Sequence, residues 1–197
     1  MTQSPAQIPQ QIFPDDVLQA PVNGATWRVA HTKSRREKKL VDFLTAHGIA
    51  YYLPLFKRRQ PGQKRSRYSF VPAFGNYVFV KATDSQRFEA LRSNHIARFI
   101  EVRDQQRLVH ELQQIQSALV LEERVYPYDY VSQGQQVRIM EGPFKGLEGV
   151  IAAKKSGYRL VLSVASIFQS VALDIDAEDV EPLGETAGKR FLTGGQR

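Results

Sequence analysis

Tyr68-Ser69-Phe70-Val71-Pro72-Ala73-Phe74-Gly75-Asn76-Tyr77-Val78-Phe79-Val80 is the stretch on which the fold turns. Aromatic and β-branched side chains dominate it, the composition of a strand on a pleated, half-buried surface. Pro72 cannot donate to a ladder and Gly75 has no side chain to pack, so the strand is expected to bend there. Upstream, Trp27-Arg28-Val29-Ala30-His31 alternates as a strand does. Ser34-Arg35-Arg36-Glu37 then has the form of a capping box, in which the Ser hydroxyl accepts from the Glu37 N–H and the Glu37 carboxylate reaches back. Leu40, Phe43 and Leu44 follow at helical spacing, and Gly48 is placed to end that helix. Residues 51–56 read as a second strand and 57–67 as a turn region around Pro61-Gly62. Downstream, Thr83-Asp84-Ser85-Gln86 repeats the capping-box pattern, with Phe88 and Leu91 on one face. Residues 97–102 read as a fourth strand, and Leu108, Leu112, Ile115 and Leu119 mark a third helix. The order is β-α-β-β-α-β-α. Its β-α-β-β-α-β core implies an α+β fold, an antiparallel sheet with helices on one face.

From residue 133 the helical period is gone. Residues 136–140 and 148–153 read as strands on either side of a Glu141-Gly142-Pro143-Phe144-Lys145-Gly146 loop, and residues 154–157 turn. Tyr158, Leu160, Leu162 and Val164 alternate with Arg159, Val161 and Ser163, and Val171, Leu173 and Ile175 alternate again. Several short strands in so few residues cannot bury both faces as an open sheet, so a small closed β-barrel is expected. The expected organisation is a disordered leader over 1–26, with Pro5, Pro9, Pro14 and Pro21; a first domain over 27–125; a linker over 126–132; a β domain over 133–183; and a disordered Gly-rich tail over 184–197. The linker lacks an apolar pattern that would fasten the domains together, so each is expected to fold by itself.

The chain has 197 residues, 42% hydrophobic and 24% charged, which excludes a wholly disordered protein. No run of about 18 apolar residues exists, so no membrane-spanning helix is expected. Residues 1–11 lack the basic and apolar regions of a secretory signal. Without Cys there is no disulfide, thiolate metal site or Cys nucleophile. A cytoplasmic protein fits best. Lys and Arg number 27 against 20 Asp and Glu, a net +7, and the excess is local. Residues 27–125 carry 19 basic and 9 acidic side chains, and residues 133–183 carry 5 and 7. A basic domain beside a mildly acidic one places a polyanion near the first, solubilising charge being the competing reading. His31, His47, His95 and His110 are scattered without metal-ligand spacing. Gly142-Pro143-Phe144-Lys145-Gly146 is too short for a phosphate-binding loop. No catalytic constellation, metal or cofactor is expected.

Two motifs in order carry a resemblance. Phe74-Gly75-Asn76-Tyr77-Val78-Phe79-Val80 resembles the F-P-G/N-Y-V-L/F-V motif of the NGN domain, and residues 134–151, followed by Ser163-Val164-Ala165-Ser166-Ile167-Phe168, resemble a KOW domain. Together they resemble the NusG family of transcription elongation factors over residues 27–183. Gly75 stands where the family has Pro, and Arg28 where the housekeeping protein has an aromatic residue. The basic crowding at 35–39 and 57–67 and the Tyr51-Tyr52-Leu53-Pro54-Leu55 piece are more like specialised paralogues of the antitermination type.

The resemblance implies a monomer that binds the clamp helices of RNA polymerase through the NGN domain, with Phe74 and Tyr77 lining an apolar pocket and Trp27 close by. Core packing is the competing reading, evenly so for Trp27. Lys33 just before the first helix, Arg35, Arg36, Lys38 and Lys39 on it, and Lys64, Arg65 and Arg67 in the hairpin are the candidates to contact phosphates of upstream or non-template DNA, with a solvated helix face and a charged loop as the competing reading. In the KOW module Phe144, Leu147, Ile167 and Phe168 are the candidates for docking NusE or Rho, with barrel core as the alternative. A ribosome- or RNA-binding KOW protein is the second reading; it requires basic charge on the barrel, and the charge lies in the other module.

Overall fold

The computed structural model describes residues 10–19, 24–60, 67–121, 125–129, 134–154 and 157–183. In chain order the first half contains β1 (Ile12–Phe13), β2 (Thr26–Thr32), α1 (Glu37–Ala46), β3 (Ala50–Tyr52), β4 (Leu55–Gln60), β5 (Arg67–Pro72), β6 (Tyr77–Ala82), α2 (Asp84–Arg92), β7 (Ile96–Glu101) and α3 (Gln105–Leu121). Five strands form one antiparallel sheet in the order β1-β3-β6-β2-β7. The long strand expected over 68–80 is two strands. Pro72 and Gly75 do more than bend it: the chain breaks, Asn76 takes a left-handed φ of 64°, and β5 and β6 join different sheets. β5 pairs with β4 as a separate hairpin, with Lys57 opposite Phe70 and Arg58 opposite Ser69. The hairpin strands reach into the expected turn region; the tip, residues 61–66, lies outside the described residues.

The two capping-box motifs behave differently. At α2 both bonds form: Gln86 N–H donates to Thr83 Oγ1 at 3.3 Å and Thr83 N–H to Gln86 Oε1 at 3.0 Å. That cap fixes a rotation which buries Ala90 and leaves Phe88 61% exposed, so the face expected from Phe88 and Leu91 looks outward. At α1 the expected Ser34 cap is absent. Arg35 is left-handed (φ 57°), Arg36 occupies the cap position, and the Glu37 carboxylate accepts instead from the Asn76 N–H at 2.7 Å. Gly48 ends α1 as expected, at φ 62°, with Ile49 N–H bonded to the Leu44 carbonyl.

Alternation sorts each strand's side chains to the two faces of this sheet. One face carries Ala30, Tyr51, Val78 and Val80 under Leu40, Val41 and Leu44 of α1 and Ala90 of α2. The other carries Trp27, Val29, Tyr52 and Phe79 with Leu108, Leu112 and Ile115 of α3. The helices therefore lie on both faces, α3 alone on the second. Residues 10–19, expected as part of a disordered leader, belong to the fold. β1 adds to the sheet edge beside β3, and Val17 and Leu18 are buried at 1% and 2% exposure.

The second half holds β8 (Tyr126–Tyr128), β9 (Gln136–Ile139), β10 (Glu148–Lys154), β11 (Gly157–Val164), a 3-10 turn over Ala165–Ile167, β12 (Gln169–Ile175), another over Ala177–Asp179, and β13 (Val180–Pro182). They form one antiparallel sheet in the order β13-β9-β10-β11-β12-β8. β8 lies in the expected linker: Pro127 pairs with Val171 and Tyr128 with Ser170, so the chain joins the second sheet seven residues earlier than the polarity of this stretch suggested. Val137, Ile139, Leu160, Leu162, Val171 and Leu173 make its inner layer. Gly149 is required by packing, since a Cβ there would lie 2.6 Å from the Val161 carbonyl oxygen.

The two modules share a seam along α3. Its inner side packs on the first sheet; its outer side meets β11, where Val161 is buried at 1%. Gln114 Oε1 accepts from the Glu148 N–H at 2.9 Å, and the Glu111 carboxylate accepts from the Ala165 N–H at 3.3 Å. One apolar cluster runs from Trp27 through Leu112 to Leu160. The expectation of two unattached units overlooked α3, which has apolar residues on one side and hydrogen-bonding Glu and Gln on the other.

Candidate functional site

β2 and β6 bring the aromatic candidates together. His31 pairs with Tyr77, Val29 with Phe79 and Trp27 with Lys81, so all six side chains rise from the α3 face. Trp27 is 1% exposed and its backbone is gripped by Gln105, which accepts from the Trp27 N–H at 2.7 Å and donates to its carbonyl at 3.0 Å. Phe74 is equally buried and meets Phe79 edge-on, ring centroids 6.1 Å apart. Both are core in this arrangement. Tyr77 is half-buried, 5.1 Å from the His31 ring, and lines a cleft with Arg98 and Ile100. Of the three aromatic candidates it alone offers a ring to a partner without rearrangement.

The cations form a surface next to that cleft. The Glu37 carboxylate holds the Asn76 N–H, which pins the start of α1 beside Tyr77. Arg35, Arg36, Lys38 and Lys39 are exposed there, and Lys33 is also exposed, its Nζ bonded to Asn94 Oδ1. Lys38 Nζ donates to the Phe70 carbonyl at 2.8 Å, which ties α1 to the β4–β5 hairpin and makes two basic stretches one surface. Lys57 and Arg58 continue it, with Lys57 Nζ 4.4 Å from the ring centre of the exposed Tyr68. His95 registers the field: burial first, then Arg36, Lys39 and Lys33, push its imidazole pKa down. Lys64 and Arg65 lie outside the described residues; Arg67 opens β5.

A family model, NusG, described as transcription termination factor nusG, matches residues 25–120. Residues 25–120 are a NusG domain. The match takes in β2 to β7 and the three helices, α3 all but its last residue, and leaves β1 outside; the family is one of transcription factors. Among solved structures, the chain is similar to one on domain interaction in Thermotoga maritima NusG, at 20% identity, over 81% of this chain and 98% of that one, with a TM-score of 0.46. It is also similar to a crystal structure of the MjSpt4:Spt5 complex, at 14% identity, over 81% and 99% of the two chains, with a TM-score of 0.27. No curated protein sequence matches.

Beyond the NusG domain, the four second-module candidates separate by burial. Leu147 (4% exposed) and Ile167 (6%) are core, and Phe144 is half-buried against it. Phe168 stands 72% exposed at a left-handed φ of 52° and shares the Tyr77 cleft. Sequence reasoning missed Lys81, Gln105 and Gln113. These polar residues sit in otherwise apolar patterns, but only the fold shows which backbone atoms they hold. Among the described residues no His, Asp and Glu cluster suits a metal ion, and no helix is long and apolar enough to cross a membrane.

Proposed function

We propose that this protein is a specialised transcription elongation factor of the antitermination type. The aromatic face of its first module binds the clamp helices of RNA polymerase. The surface of α1 and the hairpin lies along upstream or non-template DNA. The second module, read as a KOW domain, recruits a further protein such as NusE or Rho through the Phe168 turn. The observation that carries this is the Asn76–Glu37 bond, which fastens a cationic helix start beside the half-open Tyr77. A protein surface for polymerase and a charge surface for nucleic acid therefore adjoin, as binding at the polymerase DNA channel requires. The process it serves, relief of pausing or termination, needs no chemistry by this chain, only a clamp held closed. The protein acts in the cytoplasm as a monomer.

Tyr77→Ala tests the polymerase surface. Loss of a central aromatic anchor costs about 2 kcal/mol or more, so capture of RNA polymerase by the folded variant should fall at least tenfold. Capture at wild-type affinity would refute the assignment of this face.

A further inference from the structure

We propose that the groove between β6, the start of β2 and α3 is a docking site for a helical turn of a partner, and that residues 16–19 occupy it in the free protein as a displaceable plug. The proposal rests on the polymerase reading and names what that partner must present. Residues 14–19 form a short turn, with Val17 N–H bonded to the Pro14 carbonyl and Gln19 N–H to that of Asp16. Val17 and Leu18 insert their side chains into the apolar cluster that contains Trp27, Tyr52 and Phe79. Two donors from the walls then take the turn's consecutive carbonyl oxygens: Lys81 Nζ donates to Val17 at 3.3 Å, and Gln113 Nε2 to Leu18 at 2.9 Å.

An apolar floor with an ammonium and an amide aimed at consecutive carbonyls recognises the carbonyl end of an aliphatic-faced helix, where such oxygens are unpaired. Lys81 is 6% exposed. Burial pushes its pKa down, with Asp16 of the plug opposing, so this is a built polar contact on the aromatic side of the sheet.

Among the described residues, the plug leaves part of the site open. A cleft of about 480 Å³ continues past it along α3, shared by Trp27, Val109 and Gln113. Trp27 Nε1 is buried without an acceptor among the described residues, and buried indole donors are ordinarily satisfied. A longer helical occupant would fill the cleft. Among the described residues the plug is tethered to the sheet edge by the two residues of β1, the bond from Leu53 N–H to the Gln11 carbonyl, the Tyr51 hydroxyl 3.5 Å from the Gln10 carbonyl, and the stacked Phe13 and Tyr51 rings, all of them outside the groove itself.

The test uses the full chain with Val17→Ser and Leu18→Ser together, and Trp27, the only tryptophan, as reporter. The double variant should bind RNA polymerase about tenfold more tightly, and acrylamide should quench Trp27 more readily. A synthetic peptide of residues 10–19 should reverse the quenching and compete with polymerase. Unchanged or weaker polymerase binding by the folded variant, or a peptide that does neither, overturns the plug. Should the variant fail to fold, hydrogen exchange on the wild type decides. Polymerase should expose the Leu53 and Val17 amides, and equal or greater protection there overturns the proposal. If polymerase binds neither wild type nor variant, the polymerase reading fails instead, while the peptide's effect on Trp27 still reports on the groove.

Discussion

At the scale of single residues, one motif supplies side chains with opposite duties. Phe74 and Tyr77 are three positions apart, yet one is sealed against Phe79 and the other is open beside His31. The left-handed Asn76 separates them, by turning the chain so that Tyr77 starts β6. Their alanine variants should therefore differ in kind. Phe74→Ala leaves a core cavity and should destabilise the protein by about 3–5 kcal/mol, seen as a lower denaturation midpoint, whereas Tyr77→Ala should keep that midpoint within about 1 kcal/mol and lose its effect on binding alone. Equal loss of stability in both would make Tyr77 a core residue. The motif named both aromatics but not their division of labour, because rotation about one turn residue decides which ring points inward.

At the scale of elements, α1 does two jobs at once. Leu40, Val41 and Leu44 bury one side, and Arg35, Arg36, Lys38 and Lys39 crowd the start and outer side, where Lys38 reaches the hairpin. Four substitutions to Gln leave the buried side untouched and keep a good helix former, so stability should move by a few tenths of a kcal/mol per exposed site. The Lys38 bond to the Phe70 carbonyl can be kept by a Gln amide only if it reaches that far. Polymerase capture should persist, antipausing on a DNA-containing elongation complex should weaken, and the slope of log affinity against log salt should drop by roughly 0.7–0.9 per lost phosphate contact. An unaltered slope in both this variant and one neutralised at Lys57 and Arg58 would mean that the cations serve solubility. Sequence spacing made α1 and its charge legible; the junction with the hairpin was not, since a Lys Nζ meeting a backbone carbonyl 32 residues away leaves no local pattern.

At the scale of the whole molecule, α3 sets how the modules relate. Glu111 sits in the seam: burial raises its carboxyl pKa, and the bonds from Arg107 and the Ala165 N–H pull it part of the way back. A carboxyl whose pKa is raised on folding binds its proton more tightly in the folded state, so its contribution to stability grows as pH falls through the carboxylate range and is lost as pH rises. The difference in melting temperature between wild type and Glu111→Gln should therefore shift in favour of wild type between pH 7 and pH 5; a pH-independent difference would remove Glu111 from the seam. The sequence by itself determined the three helices, most of the strand-forming stretches, the α2 cap, the end of α1 and the placing of positive charge in the first module. Each of these depends on side-chain period, cap chemistry or composition within a few residues. Only the tertiary structure decided that residues 10–19 belong to the fold, that Glu37 caps the Asn76 turn instead of its own helix, that β8 joins the second sheet and that α3 carries both modules. These rest on strand pairing and on backbone groups meeting side chains from distant parts of the chain, up to 95 residues away. A Gln or a Lys reads as a surface residue until the fold brings an unpaired carbonyl to it.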